Sequence, residues 1–187
     1  MTTEQWTLDQ ATGELTLHTG VAGRGARMGH RLTIAMTRWQ ATVDWVNGQP
    51  AEAQLTVDVN SLDVLRGEGG VKALTAPEKA LVRSNALKSL AASKYPEIRF
   101  TTESIVPIDD GYRLAGKLDI HGKTIDHVID LRTIDYGDAW LLSTESSVRQ
   151  TAYGIKPFSL LMGTLQVADE VAVAFTAIRP KDASTAS

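Results

Sequence analysis

The histidines are the side chains of this chain best suited to metal binding or acid–base chemistry, because imidazole titrates near neutral pH and ligates transition metals. His18, His30, His121 and His127 include no pair at i, i+2 on one predicted strand or at i, i+4 on a predicted helix. The chain contains no Cys to complete a zinc set, form a disulfide or act as a thiolate nucleophile. His121 and His127 flank a predicted turn and could approach each other. We nevertheless interpret all four as solvent-facing or hydrogen-bonded histidines and predict no metal site.

Serines and carboxylates show no arrangement typical of catalysis. Ser143, Ser146 and Ser147 lie on a predicted strand, and no Gly-x-Ser-x-Gly elbow surrounds any serine. Asp58 and Asp119 fit outward strand faces or strand ends and form no acid–base pair. The sequence therefore predicts no catalytic residues and a protein that is not an enzyme.

The segment 20–29 is rich in glycine and carries Arg24 and Arg27. It does not match a dinucleotide-binding fingerprint, because its spacing differs and it connects two strands instead of leading into a helix. Two interpretations stay open. The segment is either a plain inter-strand loop or a nest of backbone amides that binds an anion beside the two arginines.

Charge and hydropathy exclude two classes of partner. The net charge of −3 and the pI of about 5.8 leave no global basic field to attract nucleic acid, so no nucleic-acid partner is expected. No apolar run is long enough to span a bilayer, so no integral membrane segment is expected either. Residues 1–10 have neither the basic region nor the apolar region of a signal peptide, which predicts a soluble, cytoplasmic protein.

Alternation of apolar and polar residues with a period of two dominates the chain and predicts strands that are buried on one face. The segment 53–60 is the cleanest of eight or nine such segments, and turn residues such as Asn47-Gly48 separate them. Near Thr37–Arg38 the apolar residues change from even-numbered to odd-numbered positions, which predicts a bulge or a bend. Regularly spaced strands of this kind predict a sandwich or a closed barrel.

One segment departs from this alternation and predicts a single helix. Thr75 and Glu78 form a capping-box pattern, Pro77 stands near the first helical position, and apolar residues then recur at helical spacing. The helix is predicted to end at Tyr95-Pro96. Its basic residues are either a solvated face or a basic lid over a barrel mouth that contacts an anionic head group: Lys79, Arg83, Lys88 and Lys94. The predicted fold class is therefore all-β with one helix.

Five motifs follow one another along the chain: Gly29-His-Arg-Leu32, Val57-Asp-Val-Asn-Ser-Leu62, Lys94-Tyr-Pro-Glu-Ile-Arg-Phe100, Leu114-Ala-Gly-Lys-Leu-Asp-Ile-His-Gly122 and Gln150-Thr-Ala-Tyr-Gly154. None is specific alone, but as a series they resemble the YceI-like family from about residue 13 to residue 178. The resemblance implies an extended eight-stranded antiparallel lipocalin-like β-barrel, a single domain over residues 1–178. Residues 179–187 are polar and are predicted to be a disordered tail.

The resemblance also implies a ligand, since members of that family are thought to bind polyisoprenoid lipids. We expect non-covalent binding, for carriage or storage, of a long-chain isoprenoid or quinone-like lipid inside the barrel, and no other cofactor. An eight-stranded barrel has room for side chains or for one slim ligand, and this chain has few bulky aromatic residues to fill it. The inward-facing residues predicted to line the tube are Leu32, Ile34, Met36, Leu55, Val57, Val171, Val173 and Phe175.

The mouth of the barrel is assigned to the loop that follows residue 149. The residues predicted to form it are Tyr153, Phe158 and Met162, with Arg149 and His30 as donors to the head group. The family's Arg-x-x-Phe-Gly pattern begins with arginine, whereas this chain has Gln150 at that position. The region therefore has one cation fewer than the pattern implies.

Two other functions stay open at this point. An enzyme acting on a lipophilic substrate in the same cavity would require a buried titratable group with a perturbed pKa, and His30 is the first candidate. A stress or interaction module would have a barrel packed solid with the same aliphatic residues. A homodimer is compatible with the Trp content, although no feature requires one.

Overall fold

The computed structural model describes residues 1–181 and contains one antiparallel sheet and one α-helix. The twelve strands are β1 (Thr3–Asp9), β2 (Gly13–Ala22), β3 (His30–Met36), β4 (Trp39–Val46), β5 (Gln49–Asp58), β6 (Leu62–Gly69), β7 (Glu97–Ile108), β8 (Gly111–Ile120), β9 (Lys123–Asp135), β10 (Ala139–Arg149), β11 (Ser159–Leu160) and β12 (Leu165–Pro180). The helix α1 spans Ala76–Ser89, between β6 and β7. The predicted class, all-β with one helix, is confirmed.

The number of strands differs from the predicted eight because three long strands are each divided by a bend. β1 pairs with β4 from Thr3↔Val46 to Asp9↔Gln40, and β2 pairs with β3 at Leu17↔Ile34. The register of the second pairing differs from that of the first by only two residues, so the two pairings form one ladder. β5 and β6 are likewise two parts of one bent strand, since β5 pairs with β4 and β6 pairs with β3. The bend between β3 and β4 falls at residues 37–38, where the sequence predicted it. Three bent strands together with β7, β8, β9, β10 and β12 make eight, and the two-residue β11, which pairs with β12, is the twelfth segment.

The sheet curls into a lipocalin-like barrel because its order returns to the bent strands. From β4 the order runs through β5, β7, β8, β9, β10 and β12 to β2, and β1 and β2 are parts of one strand. At two places around the barrel, neighbouring strands pair over only a few residues, and we call each of these places a seam. β2 and β3 share three residue pairs, and β9 and β10 share four.

The buried residues form two clusters along the inside of the sheet. The larger cluster includes Trp39, which is 4% exposed and contacts Phe175 edge-on at 5.2 Å between ring centroids. The smaller cluster is centred on Phe100 and Tyr153. Val59 and Leu62, at the bend between β5 and β6, are the largest fully buried side chains. The buried residues are therefore concentrated at the bends and at the strand positions whose side chains face inward.

The helix begins at its predicted capping box and ends earlier than predicted. The Thr75 hydroxyl accepts a hydrogen bond from the Glu78 backbone N–H, and the Glu78 carboxylate accepts one from the Thr75 backbone N–H at 2.7 Å. The helix ends because Ala91 adopts a left-handed conformation (φ 47°), after which backbone bonds close a turn before Tyr95. Among residues 1–181, no helix is long and apolar enough to cross a bilayer.

Replacement of Thr75 by alanine is expected to lower the free energy of unfolding by about 1 kcal/mol, because the Glu78 backbone N–H loses its acceptor and the Glu78 carboxylate loses the hydroxyl donor. Hydrogen bonds from Thr75 lower the pKa of Glu78, so the cap contributes fully above the unfolded value of 4.5 and is lost as pH falls through the lower, folded value. Urea denaturation at pH 7 and at pH 3 checks this. Ser84→Ala, on the exposed side of the same helix, is the control, and an equal loss in both variants would contradict the capping role.

The last strand extends two residues beyond residue 178, after which the predicted tail begins. Arg179 and Pro180, assigned to the tail from sequence, are the last residues of β12, where Trp140↔Arg179 is a register pair with β10. Lys181 follows and its backbone N–H bonds to the Asp138 carbonyl. The remainder of the predicted tail, residues 182–187, lies outside the described residues.

Candidate functional site

The barrel contains a cavity of about 450 Å³. This volume lies within the range of roughly 300–1,000 Å³ that is typical of small-molecule sites. Its wall consists of the inward faces of the strands, and one side is covered by Val82 and Ala86 of α1 and by Leu90 directly after the helix. The space arises because the inward positions hold medium-sized aliphatic side chains that do not reach one another across the barrel.

All eight residues predicted to line the tube lie in the cavity wall: Leu32, Ile34, Met36, Leu55, Val57, Val171, Val173 and Phe175. Those on β3, together with Val57, are at most 9% exposed, whereas the side chains on β12 and Leu55 are half-buried and meet the open space. The alternation of each strand therefore predicted the orientation of its side chains. Whether they contact a ligand stays a prediction.

The cavity opens where the loop 23–29 meets the segment 159–165. Met28 and Leu160 belong to the cavity wall and are nevertheless 59% and 50% exposed, so the wall reaches solvent here. The two segments are joined by a hydrogen bond from the Gly25 N–H to the Thr164 carbonyl at 2.7 Å. Phe158, predicted for the mouth, lines the cavity beside this opening.

The glycine-rich loop is organised by its own backbone. The N–H groups of Ala26, Met28 and Gly29 donate to carbonyls of the same loop, and that of Gly25 donates to Thr164. These amides are already used and do not form an open nest. Of the two interpretations of this segment, the structure favours the plain loop.

Two residues predicted for the mouth lie elsewhere. Tyr153 is 4% exposed and packs behind the cavity wall, in one cluster with the wall residues Phe100 and Ile155. Desolvation, and then the charge of Asp119, raise the pKa of its hydroxyl. Met162 is fully exposed at the tip of the turn after β11, where its backbone is left-handed (φ 56°). This backbone conformation directs the side chain into solvent instead of the opening.

The two predicted head-group donors are engaged with the protein. The Arg149 side chain is 70% exposed, outside the cavity wall, and its nearest ion-pair partner is Asp169 at 4.0 Å. His30 does line the cavity, but its Nε2 lies 2.6 Å from the Lys72 carbonyl and so ties β3 to the loop before α1. Gln150, in the place of the family's arginine, lines the cavity and donates from Nε2 to the Ala168 carbonyl at 2.9 Å.

The basic residues of the helix do not form a lid over the cavity. Arg83 donates to the carbonyls of Leu62 and Asn60, at 2.8 Å and 2.6 Å, and so binds α1 to the bend between β5 and β6. The helix residues that face the cavity are neutral, including Asn85 and Ser89. The helix therefore covers the cavity with apolar and neutral side chains.

His127 is a cavity residue that the sequence interpretation passed over. It lies on the inward parity of β9 with Ile125 and Ile129, and its Nε2 is 2.8 Å from the Ser146 hydroxyl oxygen on β10. Burial lowers the pKa of His127, so the ring is neutral at physiological pH. The signal that would have identified it is the alternation of β9, in which His127 occupies a position otherwise held by aliphatic residues.

The wall of the cavity is uncharged. Among the residues that the structure describes, its lining includes no Asp, Glu, Lys or Arg, and its polar members are hydroxyl, amide and imidazole groups. Within residues 1–181, no group of three or more His, Cys, Asp or Glu side chains is arranged to hold a metal ion. The chemistry that this site offers is the burial of an apolar chain with a few neutral hydrogen-bonding groups.

Comparisons with known proteins agree with this geometry. A family model described as the YceI-like domain matches residues 6–178. BcnA of Burkholderia cenocepacia superposes with a TM-score of 0.70 at 20% identity, over 91% of this chain and 98% of that chain. The YCEI protein of Campylobacter jejuni superposes with a TM-score of 0.60 at 15% identity, over 80% and 84% of the two chains. At these identities the two structures show the fold alone. No curated protein matches the sequence.

Proposed function

The chain belongs to the YceI-like family, and from that premise we propose that it binds a long-chain isoprenoid or quinone-like lipid non-covalently inside its barrel. The observation that carries the proposal is the uncharged, largely aliphatic cavity of about 450 Å³ that opens to solvent. Each methylene group moved from water into such a site contributes about 0.8 kcal/mol. Ordering the chain offsets part of this gain, so affinity is expected to increase with chain length until the cavity is filled.

An enzyme acting on a lipophilic substrate is the second candidate, and His127 rather than His30 is the residue that favours it. His127 has the lowered pKa and the position in the cavity wall that this alternative requires. However, the described cavity wall holds no carboxylate to orient the imidazole, as a catalytic triad would need. We therefore prefer binding to catalysis.

The cavity weighs against the third alternative, a module with a solid core. The cytoplasmic location and the homodimer stay predictions from the sequence. Carriage and storage differ in whether the lipid is passed on, and the proposal covers both.

Protein purified from its natural host is expected to carry lipid. Native mass spectrometry should show a mass excess that disappears after extraction with organic solvent, and the extracted protein should take up an added polyprenol or quinone. Heat-denatured protein treated with the same lipid is the control for non-specific adhesion. Bare protein in repeated preparations, with no uptake of either lipid, would refute the proposal.

A further inference from the structure

The seam between β9 and β10 is held by side chains on the cavity side. The backbone ladder of these strands covers only Arg132–Asp135 against Trp140–Ser143. Beyond it, the Thr144 hydroxyl donates to the Asp130 carbonyl at 2.8 Å, and the Ser146 hydroxyl oxygen lies 2.8 Å from His127 Nε2. Thr144, Ser146 and His127 all belong to the cavity wall. The barrel thus has a cluster of neutral polar groups from two neighbouring strands on one side of an interior that is mainly apolar.

The pair of His127 and Ser146 retains one hydrogen-bond donor in either tautomer of the neutral ring. If Nε2 accepts from the Ser146 hydroxyl, the proton of the ring is on Nδ1, for which no hydrogen bond to another described residue is found. If Nε2–H donates instead, the Ser146 hydroxyl proton is the one that stays available. Either arrangement suits a ligand group that accepts a hydrogen bond.

A charged head group does not fit this interior. Transfer of an ionised group into an apolar site is very costly unless an opposite charge pairs with it, and the described cavity wall has no Lys or Arg. A diphosphate would have to stay at the opening, where Arg24 and Arg27 are exposed. A hydroxyl can enter, but it brings a donor that also needs a partner. A carbonyl accepts without bringing a donor of its own.

We propose that the barrel selects lipids with an uncharged carbonyl at the polar end, as in a quinone or an aldehyde, and that His127 and Ser146 receive this carbonyl inside the cavity. The proposal rests on the proposed function, since it assigns the head group of the same ligand. His127 and Ser146 act here as specificity-determining residues, in addition to joining β9 to β10.

Four probes with the same fifteen-carbon isoprenoid tail test the proposal by isothermal titration calorimetry: farnesene, farnesol, farnesal and farnesyl diphosphate. In the wild-type protein, farnesal should bind about 5-fold tighter than farnesene, since one hydrogen bond contributes on the order of 1 kcal/mol. Farnesol should fall between these two, and the diphosphate should bind no more tightly than the hydrocarbon.

His127→Leu made together with Ser146→Ala removes the donor of either tautomer and should reduce the ratio of farnesal to farnesene affinity to about 1, while the Kd for farnesene changes by less than about 2-fold. His18→Leu is the matched control, because His18 is exposed on β2 and bonds to Thr16 outside the cavity. It should leave the ratio unchanged. A role of His127 in holding the seam alone would instead weaken all four probes together.

The possible failures are distinguishable. Equal binding of farnesal and farnesene by the wild-type protein, or tightest binding of the diphosphate, would overturn the head-group assignment and leave the lipid-binding proposal intact. No binding of any probe would overturn both. The comparison of probes with the wild-type protein needs no variant, so a failure of the double variant to fold does not prevent the test.

Discussion

Replacement of Val173 by tryptophan is expected to weaken lipid binding strongly while the barrel stays folded. Val173 lies on the inward face of β12 between Leu17 on β2 and Ser146 on β10, and it is half-buried because it meets the open cavity. An indole ring at this position occupies space that the ligand needs. Displacement of about four methylene groups at about 0.8 kcal/mol each corresponds to a loss of affinity on the order of 100-fold.

The measurement is the Kd for a polyprenol or a quinone, together with the urea midpoint of each variant. Ala172→Trp is the matched control, since Ala172 is the next residue on the same strand and is exposed on the outside of the barrel. It should bind like the wild type. Because the inward indole fills empty space, Val173→Trp should not lose stability as an overpacked core does. Normal binding by Val173→Trp would show that the ligand lies elsewhere.

We expect truncation of Trp39 to alanine to be the most destabilising single replacement, apart from changes at turn residues that need a special backbone conformation. The side chain is 4% exposed, packs edge-on against Phe175, and lies directly after the bend that joins β3 to β4. Removing so large a buried side chain typically costs about 3–5 kcal/mol, which is a large part of the stability of a domain of this size. The loss would also widen the cavity next to Phe175.

Urea denaturation of Trp39→Ala should show a midpoint far below that of the wild type, and Tyr136→Ala provides the comparison. Tyr136 is an aromatic residue that is 65% exposed in the turn between β9 and β10, so its truncation should be nearly neutral. Trp39→Phe should fall between them, because it removes the buried indole N–H, which has no hydrogen-bond partner among residues 1–181, while most of the ring area is kept. A loss below about 1 kcal/mol for Trp39→Ala would contradict the packing described here.

Local chemistry predicted the elements of this fold well. The capping box at Thr75 marked the start of α1, Asn47 and Gly48 form the hairpin turn between β4 and β5 with positive φ at both residues, and the change of parity at residues 37–38 marked a bend. Each of these signals depends on a few consecutive residues. The helix end was harder to predict, because the left-handed turn at Ala91 is not typical of alanine.

The residues of the candidate site also fall into those that neighbouring residues place and those that distant contacts place. Orientation along a strand follows from a period of two, so the eight wall residues could be assigned to the inside from sequence. The positions of Tyr153 and Met162 could not be assigned, because each lies in a segment whose path depends on contacts with distant residues. Arg149 is the last residue of β10, and the alternation of that strand, with Val148 in the cavity wall, places it on the outside. His127 lies at an inward position of β9 that the same alternation assigns, whereas its pairing with Ser146 on another strand could not be read from neighbouring residues.

The sequence by itself determined the all-β class, the single helix and which side chains face inward, because these properties are set by neighbouring residues. The tertiary structure alone decided that the interior stays open, where it reaches solvent and which polar groups bond to one another there. Those properties depend on how strongly the sheet curls and on the register between strands that are far apart in the chain. No local pattern of side chains encodes the distance across a barrel.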